Sequence, residues 1–436
     1  MSLLKNSSYL LTDSFGNIYN LLHKDEDINF ITYDKILSKN KKEVLVKNCN
    51  EHFYSFIDRK NNINVFYQEN KNNNIYFSTY LSGNWNHKIV VENSNKIYEP
   101  QMIKLYDNIH IFYFQKSVQK NYYELMHLVV YNDNVVKNKL FTIETNGILN
   151  PYNITLYNQG VIISYMNFKN YYHNIELRYF NLEKNQLGDE IVINEEKYEK
   201  YYLDTLGIDN SKLLMSYSAK QDENFKIICD YISLDHEKSK VESRAVLSNL
   251  SNCMYPTIIL EEENIWVCWY ELKSIMSSVK RRGSKKFEGP YLWNDSKGKD
   301  LLRYGYSSNS KNNIYKLNYS FGTIPPEISF IGFGELENAE KVPFKKNSKG
   351  GDTIETNNKD YIKPKKKYSY DYDDLEDLKI EIEENKKLIT KILQSTIKEN
   401  NEYEKLNKRI SELEDRIKDI EDFLSRRRRG SIFSSR

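Results

Sequence analysis

One short pattern recurs along most of the chain and constrains its fold more than any other feature. A polar turn is followed by apolar-x-apolar-x-aromatic, as in Ile63-x-Val65-x-Tyr67, Ile109-x-Ile111-x-Tyr113, Val161-x-Ile163-x-Tyr165, Leu213-x-Met215-x-Tyr217 and Ile265-x-Val267-x-Trp269. The aromatic positions lie 46, 52, 52 and 52 residues apart, and weaker copies flank the series at Tyr19-x-Leu21 and Tyr315-x-Leu317-x-Tyr319. Alternation with period two marks a half-buried strand. Asn62, Asn108, Gly160 and Asn264 stand just before the runs, where a tight turn is required.

The rest of each period reads as further strands. Runs that open with proline precede the anchor, as in Pro100-x-Met102-Ile103, Pro151-x-x-Ile154 and Pro256-x-Ile258-Ile259. Proline suits a first strand residue, which owes the ladder no donor. Two more apolar runs follow the anchor, such as Ile175-x-Leu177-x-Tyr179 and Ile191-Val192-Ile193. Four short antiparallel strands repeated at a fixed period fit the blades of a β-propeller better than a sandwich, which has no reason to repeat. The units read as about 8–48, 51–92, 97–143, 149–195, 200–247, 253–294 and 299–345. The expectation is an all-β, seven-bladed propeller over residues 1–345. Six blades result if the first and last units merge.

Composition agrees and excludes some classes. The chain has 436 residues, 39% of them apolar, with 36 tyrosines. Tyr and Ile favour strands and Asn favours turns. A net charge of +2 gives no global field to attract nucleic acid. Cys49, Cys229, Cys253 and Cys268 are too few for a disulfide framework and lack zinc-site spacing; Cys268, between apolar neighbours, reads as a core thiol. No apolar run is long enough for a signal peptide or a membrane span. Synthesis in the cytoplasm is expected, and deposition on a spore or cell surface would need a route without a cleaved leader.

Beyond residue 345 the pattern changes. Residues 346–370 are poor in apolar groups and read as a flexible basic linker. Leu406, Ile410, Leu413, Ile417, Ile420 and Leu424 are spaced 4-3-4-3-4, a heptad seam. Extended backwards, the frame gives a long α-helical coiled coil over 371–426. Its exposed apolar stripe calls for a partner, so a homo-oligomer is expected, with dimer and trimer both open. Packing back on the propeller is the alternative. A basic tail, 427–436, closes the chain.

The repeat layout over residues 8–345 resembles the sialidase-like, BNR-type propeller superfamily. The resemblance is one of architecture. The family's Ser-x-Asp-x-Gly-x-x-Trp box has its nearest counterpart in Ser78-Thr-Tyr80-Leu-Ser82-Gly-Asn-Trp85, which keeps Ser and Trp and lacks the Asp and the Gly. The resemblance implies an arginine cluster and a Tyr/Glu nucleophile pair, yet none of the six arginines before residue 345 (Arg59, Arg178, Arg244, Arg281, Arg282, Arg303) sits in a family motif. No catalytic role is carried over.

Candidate binding residues are the equivalent aromatics Tyr67, Tyr113, Tyr165, Tyr217 and Trp269, which either fill the wedges between sheets or form a ring that stacks a sugar or peptide. Arg281 and Arg282 in a basic loop form a second candidate. Glu99, Asp204 and Asp230 stand at strand ends and are read as solvated turn residues; paired near an axis they would suit glycosidase chemistry. The seven histidines show no metal-ligand spacing, and no nucleotide motif occurs, so neither metal nor cofactor is expected. The leading expectation is a non-catalytic binding or scaffold protein that recognises a protein or glycan and is multimerised by its coiled coil. A propeller-type glycan hydrolase, and a structural component of a surface layer, spore coat or phage-like particle, are the alternatives.

Overall fold

In a computed structural model of the chain, residues 8–345 are described, apart from 34–39, 132–133, 146–150, 170–171, 195–196, 235–238 and 325–327. The chain divides into Met1–Thr356 and Asn357–Arg436. The expected linker, the heptad seam from Leu406 to Leu424 and the basic tail lie outside the described residues.

The described part is almost wholly β, in six hydrogen-bonded sheets. The third repeat shows the unit: Ile97–Leu105, Asn108–Lys116, Tyr122–Tyr131 and Asn134–Glu144 pair in sequence as an antiparallel meander. Tyr54–Val91 and Lys200–Val246 repeat it. Left-handed turns explain part of the asparagine excess, since Asn61, Asn73, Asn121 and Asn158 all have positive φ, a conformation asparagine tolerates better than most residues.

Each sheet buries both faces against its neighbours, which makes a ring. Seven apolar layers lie between consecutive repeats. One joins Leu10 and Leu22 to Leu302 and Tyr304 and so closes the chain's end on its beginning. Backbone hydrogen bonds close the ring as well: Ser8–Thr12 pairs in parallel with Leu301–Ser308, Ser8 facing Tyr304. First strands of successive repeats touch one another, so they line the ring's axis. Fourth strands, such as Asn84–Val91, are largely exposed at the rim.

The last repeat departs from the expected unit. Tyr315-x-Leu317-x-Tyr319 does not form one second strand. Tyr315–Leu317 pairs with Ile259–Glu261, on the axial edge of the sixth sheet. Tyr319–Thr323 pairs instead with Leu301–Gly305. Asn318 stands between the two: its side-chain amide donates to Asp204 Oδ1 (3.1 Å) and to the Thr205 carbonyl (2.8 Å) across the axis, while its own carbonyl accepts the Tyr306 N–H. This part of the chain therefore fills the centre of the ring.

Candidate functional site at the ring axis

Strand register identifies which residues of the first strands are equivalent. Tyr54, Gln101, Asn153, Asp204 and Thr257 each pair with the residue just before their repeat's anchor aromatic. Four of these five are polar, flanked in each strand by mostly apolar or aromatic neighbours. They fasten one repeat to the next. Gln101 accepts the Ile154 N–H at 2.9 Å and donates to the Tyr152 carbonyl at 3.0 Å. Asn153 donates to Asp204 at 3.1 Å, Asp204 accepts the Ile258 N–H at 2.7 Å, and Thr257 Oγ1 accepts Arg303 Nε at 3.1 Å. A polar thread thus runs from the third repeat to the last. Each bond stabilises by about 1 kcal/mol, more where a carboxylate accepts.

Two residues earlier, in three of these five strands, the backbone bulges. Glu99, Tyr202 and Tyr255 have φ of 45°, 58° and 55°. Register shifts accompany them, between Phe112 and Phe114, Tyr201 and Asp204, and Met254 and Thr257. Left-handed backbone at such residues costs about 1–3 kcal/mol and persists where the surroundings enforce it, commonly at functional sites. Pro100 and Pro256 lie inside their strands beside these bulges, not at the strand start as the sequence reading had it. A bulge leaves a position without a ladder donor, and proline fills it. The Tyr152 hydroxyl, 2.6 Å from the Glu99 carbonyl and 2.9 Å from that of Phe112, holds one bulge in place.

These bulges gather the site at the end of the axis where the first strands begin. His52 Nδ1 lies 3.5 Å from Glu99 Oε1. The Tyr202 and Tyr255 rings are 4.2 Å apart. The Arg303 guanidinium lies 3.8 Å from the Tyr319 ring centroid and 5.8 Å from that of Tyr255. Glu99, Tyr202, Tyr255, Arg303 and Tyr319 are half-buried, and 27% of the Glu99 side chain stays exposed. The cluster is deep yet open to water.

Its electrostatics follow from that depth. Burial pushes the Glu99 carboxyl up to about 7; Arg303 opposes this rise and Glu51 adds to it. Burial draws His52 down to about 4, so the imidazole is neutral at pH 7. Burial also raises Asp204, against Arg303 and the hydrogen bonds it accepts. Tyr319 is raised by burial, with Arg303 pulling the other way. The site therefore holds a permanent cation, a carboxyl poised near neutrality, and several neutral phenols. Among the described residues, no group of three or more His, Cys, Asp or Glu is arranged to hold a metal.

The residues singled out in the sequence fall elsewhere. Tyr67, Tyr113, Tyr165, Tyr217 and Trp269 are at most 2% exposed and lie in the apolar layers between sheets. Their hydroxyls mostly find partners: Tyr217 donates to Asp230 at 3.1 Å and Tyr165 accepts from Arg178 at 3.1 Å. Arg281 and Arg282 lie on an exposed loop beside Glu288 and Glu263. Asp204 and Asp230 are fully buried, which corrects their reading as solvated turn residues. Asp204 ties strands at the axis, and Asp230 is held bidentately by Arg244 at 2.7 and 2.9 Å. The four cysteines are free and buried. Arg303 had only a weak signal, because its repeat has no anchor to align on.

No protein-family model matches the chain, and no curated protein matches it. Solved structures do. A polysaccharide lyase of family PL25, an ulvan lyase, is similar with a TM-score of 0.51 at 8% identity, over 72% of this chain and 90% of that one. The Fusarium graminearum α-L-arabinofuranosidase Arb93A aligns at 0.43 and 7% identity, over 65% and 91%. The six-bladed fucose-binding lectin of Aleuria aurantia aligns at 0.36 and 10% identity, over 65% and 93%. The first of these likenesses shows a shared fold, the ring of sheets described above, and no more. Among the described residues, no helix is long and apolar enough to cross a membrane.

Proposed function

We propose that this chain is a glycan-binding β-propeller whose ligand enters at the axis, between His52, Glu99, Tyr202, Tyr255, Arg303 and Tyr319. The observation that carries this is the coincidence of three left-handed bulges, at Glu99, Tyr202 and Tyr255, with the half-open polar and aromatic cluster. Strained backbone that recurs at equivalent positions commonly marks a functional site. Ring faces beside hydrogen-bonding groups suit a hydroxyl-rich ligand with apolar patches. The Tyr67 to Trp269 series then acts as wedge packing, and the Arg281–Arg282 loop as a peripheral contact.

The ring counts as seven blades, the last reduced to Leu301–Ser308, Tyr319–Thr323 and Phe330–Ile331 and bonded to the first. Kinship with the sialidase-like superfamily rests on this repeat layout. The coiled coil over 371–426 would gather several propellers, raising avidity through effective concentration. The PL25 lyase is named for a polysaccharide substrate; at 8% identity that likeness extends to the fold alone, and the axial cluster itself supports glycan binding.

A glycan array probed with the full chain tests the reading. Binding to a defined set of glycans, lost in the Tyr202→Ala/Tyr255→Ala double variant, is expected; no glycan bound by the intact chain at high density would sink it. A second reading is hydrolysis, favoured by the place of Glu99: its partly exposed carboxyl faces the axis 3.5 Å from His52, and burial raises it towards neutrality, which suits general acid catalysis. Turnover of any polysaccharide by the wild type, abolished in Glu99→Gln, would establish it.

A further inference from the structure

We infer that the axial site selects acidic glycans, and that the Arg303 guanidinium receives the ligand's carboxylate or sulfate. The inference deepens the proposed glycan-binding function and rests on it.

Arg303 lacks the counter-ion contact that the ring's other partly buried arginines have. Guanidinium groups withdrawn from water usually sit against a carboxylate, because a buried unpaired charge is costly. Arg244 follows the rule with Asp230, and Arg178 with Glu190. Arg303 does not. Among the described residues no carboxylate lies within 4 Å of it. Its polar contacts are to neutral oxygens, Thr257 Oγ1 at 3.1 Å and the Pro256 carbonyl at 3.4 Å. These occupy two of the five N–H donors of a guanidinium.

The nearby carboxyls are otherwise engaged. Asp204 spends its oxygens on the Ile258 N–H and on the amides of Asn153 and Asn318. Glu99 faces His52. Yet the guanidinium is held firmly, flat against Tyr319 and fixed at Nε by Thr257. A planar cation with its orientation set and donors to spare fits the two oxygens of a carboxylate or sulfate, which it can bind in bidentate fashion. The Tyr202–Tyr255 pair beside it offers ring surface for the sugar that carries the anion.

The experiment compares matched oligosaccharides on the full-length chain by titration calorimetry: a uronate oligomer, its carboxyl-reduced neutral counterpart, and a sulfated oligomer of equal length. The expected result is at least ten-fold tighter binding of one acidic oligomer over the neutral one. The two acidic arms tell carboxylate from sulfate as its source. Arg303→Gln should bring the acidic-to-neutral ratio close to one. Arg303→Lys keeps the charge without the fork and should leave an intermediate ratio, which also guards against a misfolded Gln variant. Equal affinity for acidic and neutral oligomers, or a preference that survives in Arg303→Gln, overturns the inference while leaving glycan binding intact. Failure of all three to bind overturns the inference, and the glycan array then decides separately whether the underlying glycan-binding function stands.

Discussion

Two arginine sites in the same ring make opposite use of the same side chain. In the body of the fifth sheet, Arg244 grips fully buried Asp230 bidentately, and Asp230 also accepts the Tyr217 hydroxyl. At the axis, Arg303 lies on a tyrosine face with neutral oxygens at its edge. The first arrangement is closed: both charges find each other, and nothing is left for a ligand. The second is open, because its charge is oriented but not neutralised by contact. Burial, charge and residue type are alike, so the difference lies in what each arginine is left able to do. Ion pairs inside a fold report on structure, and an oriented cation without a counter-ion reports on binding.

The largest effect should come from breaking the closed pair. Arg244→Met leaves the Asp230 carboxylate buried without its cation. A loss of about 3–5 kcal/mol is expected, read by urea denaturation, with folded protein at low temperature retaining its glycan affinity. Arg303→Met should cost about 2 kcal/mol, since it removes two hydrogen bonds to neutral oxygens and a stacking contact while relieving the burial of an unpaired cation. Equal losses in the two variants would erase the distinction between the sites.

Much of the ring was legible in the sequence, and the site was not, for a physical reason. The anchors from Tyr67 to Trp269 advertise themselves because burial between sheets demands alternation, and alternation survives in a single sequence. Turn asparagines such as Asn61 and Asn158 are visible because few residues accept positive φ. The axial residues obey no such demand. Glu99 and the tyrosines Tyr202 and Tyr255 do not share one residue type, and what unites the three is backbone conformation. The available signal was indirect: Gln101, Asn153, Asp204 and Thr257 recur as polar residues among mostly apolar or aromatic neighbours once the repeats are aligned on their anchors. The Glu99-Pro100 and Tyr255-Pro256 dipeptides marked the bulges but read as strand starts. Arg303 belongs to the degenerate last repeat, whose second strand is split at Asn318, so no alignment reached it.

A middle-sized effect should follow from crowding the open site without touching its charges. Gly305 lies opposite Tyr319, and a Cβ there would collide with the Tyr9 ring. Tyr9 in turn packs on Phe53 and Tyr54, with centroids 5.1 Å away in both cases. Gly305→Ala must therefore displace a packed aromatic at the seam where the ring closes. Overpacking of this kind costs about 1–3 kcal/mol. The thermal midpoint should drop, and the Arg303-dependent preference for acidic ligands should weaken as Tyr319 shifts. An unchanged midpoint would mean that Tyr9 has room to move and that the closure is looser than the packing indicates.

The smallest effect is the most diagnostic of an open site, because it depends on pH. Glu99 titrates at about 7 in the fold against an ordinary value of 4.5. Its folded pKa is the higher one, so the unfolded chain gives up this proton first. The stability tied to the protonated carboxyl is complete below pH 4.5 and is lost as pH rises through 7. With 27% of the side chain exposed, water screens part of this, and roughly 1–2 kcal/mol is a fair size for the loss. Glu99→Gln keeps the shape and removes the titration. It should match the wild type at pH 4 and be more stable at pH 8.5, in paired denaturation curves. Binding should follow the same course, since an ionised Glu99 repels the anion that Arg303 attracts: wild-type affinity for an acidic oligomer falls between pH 6 and 8, and that of Glu99→Gln stays level. Parallel pH curves for the two proteins would show that Glu99 is as well compensated as Asp230, and the contrast between the closed site and the open one would fail.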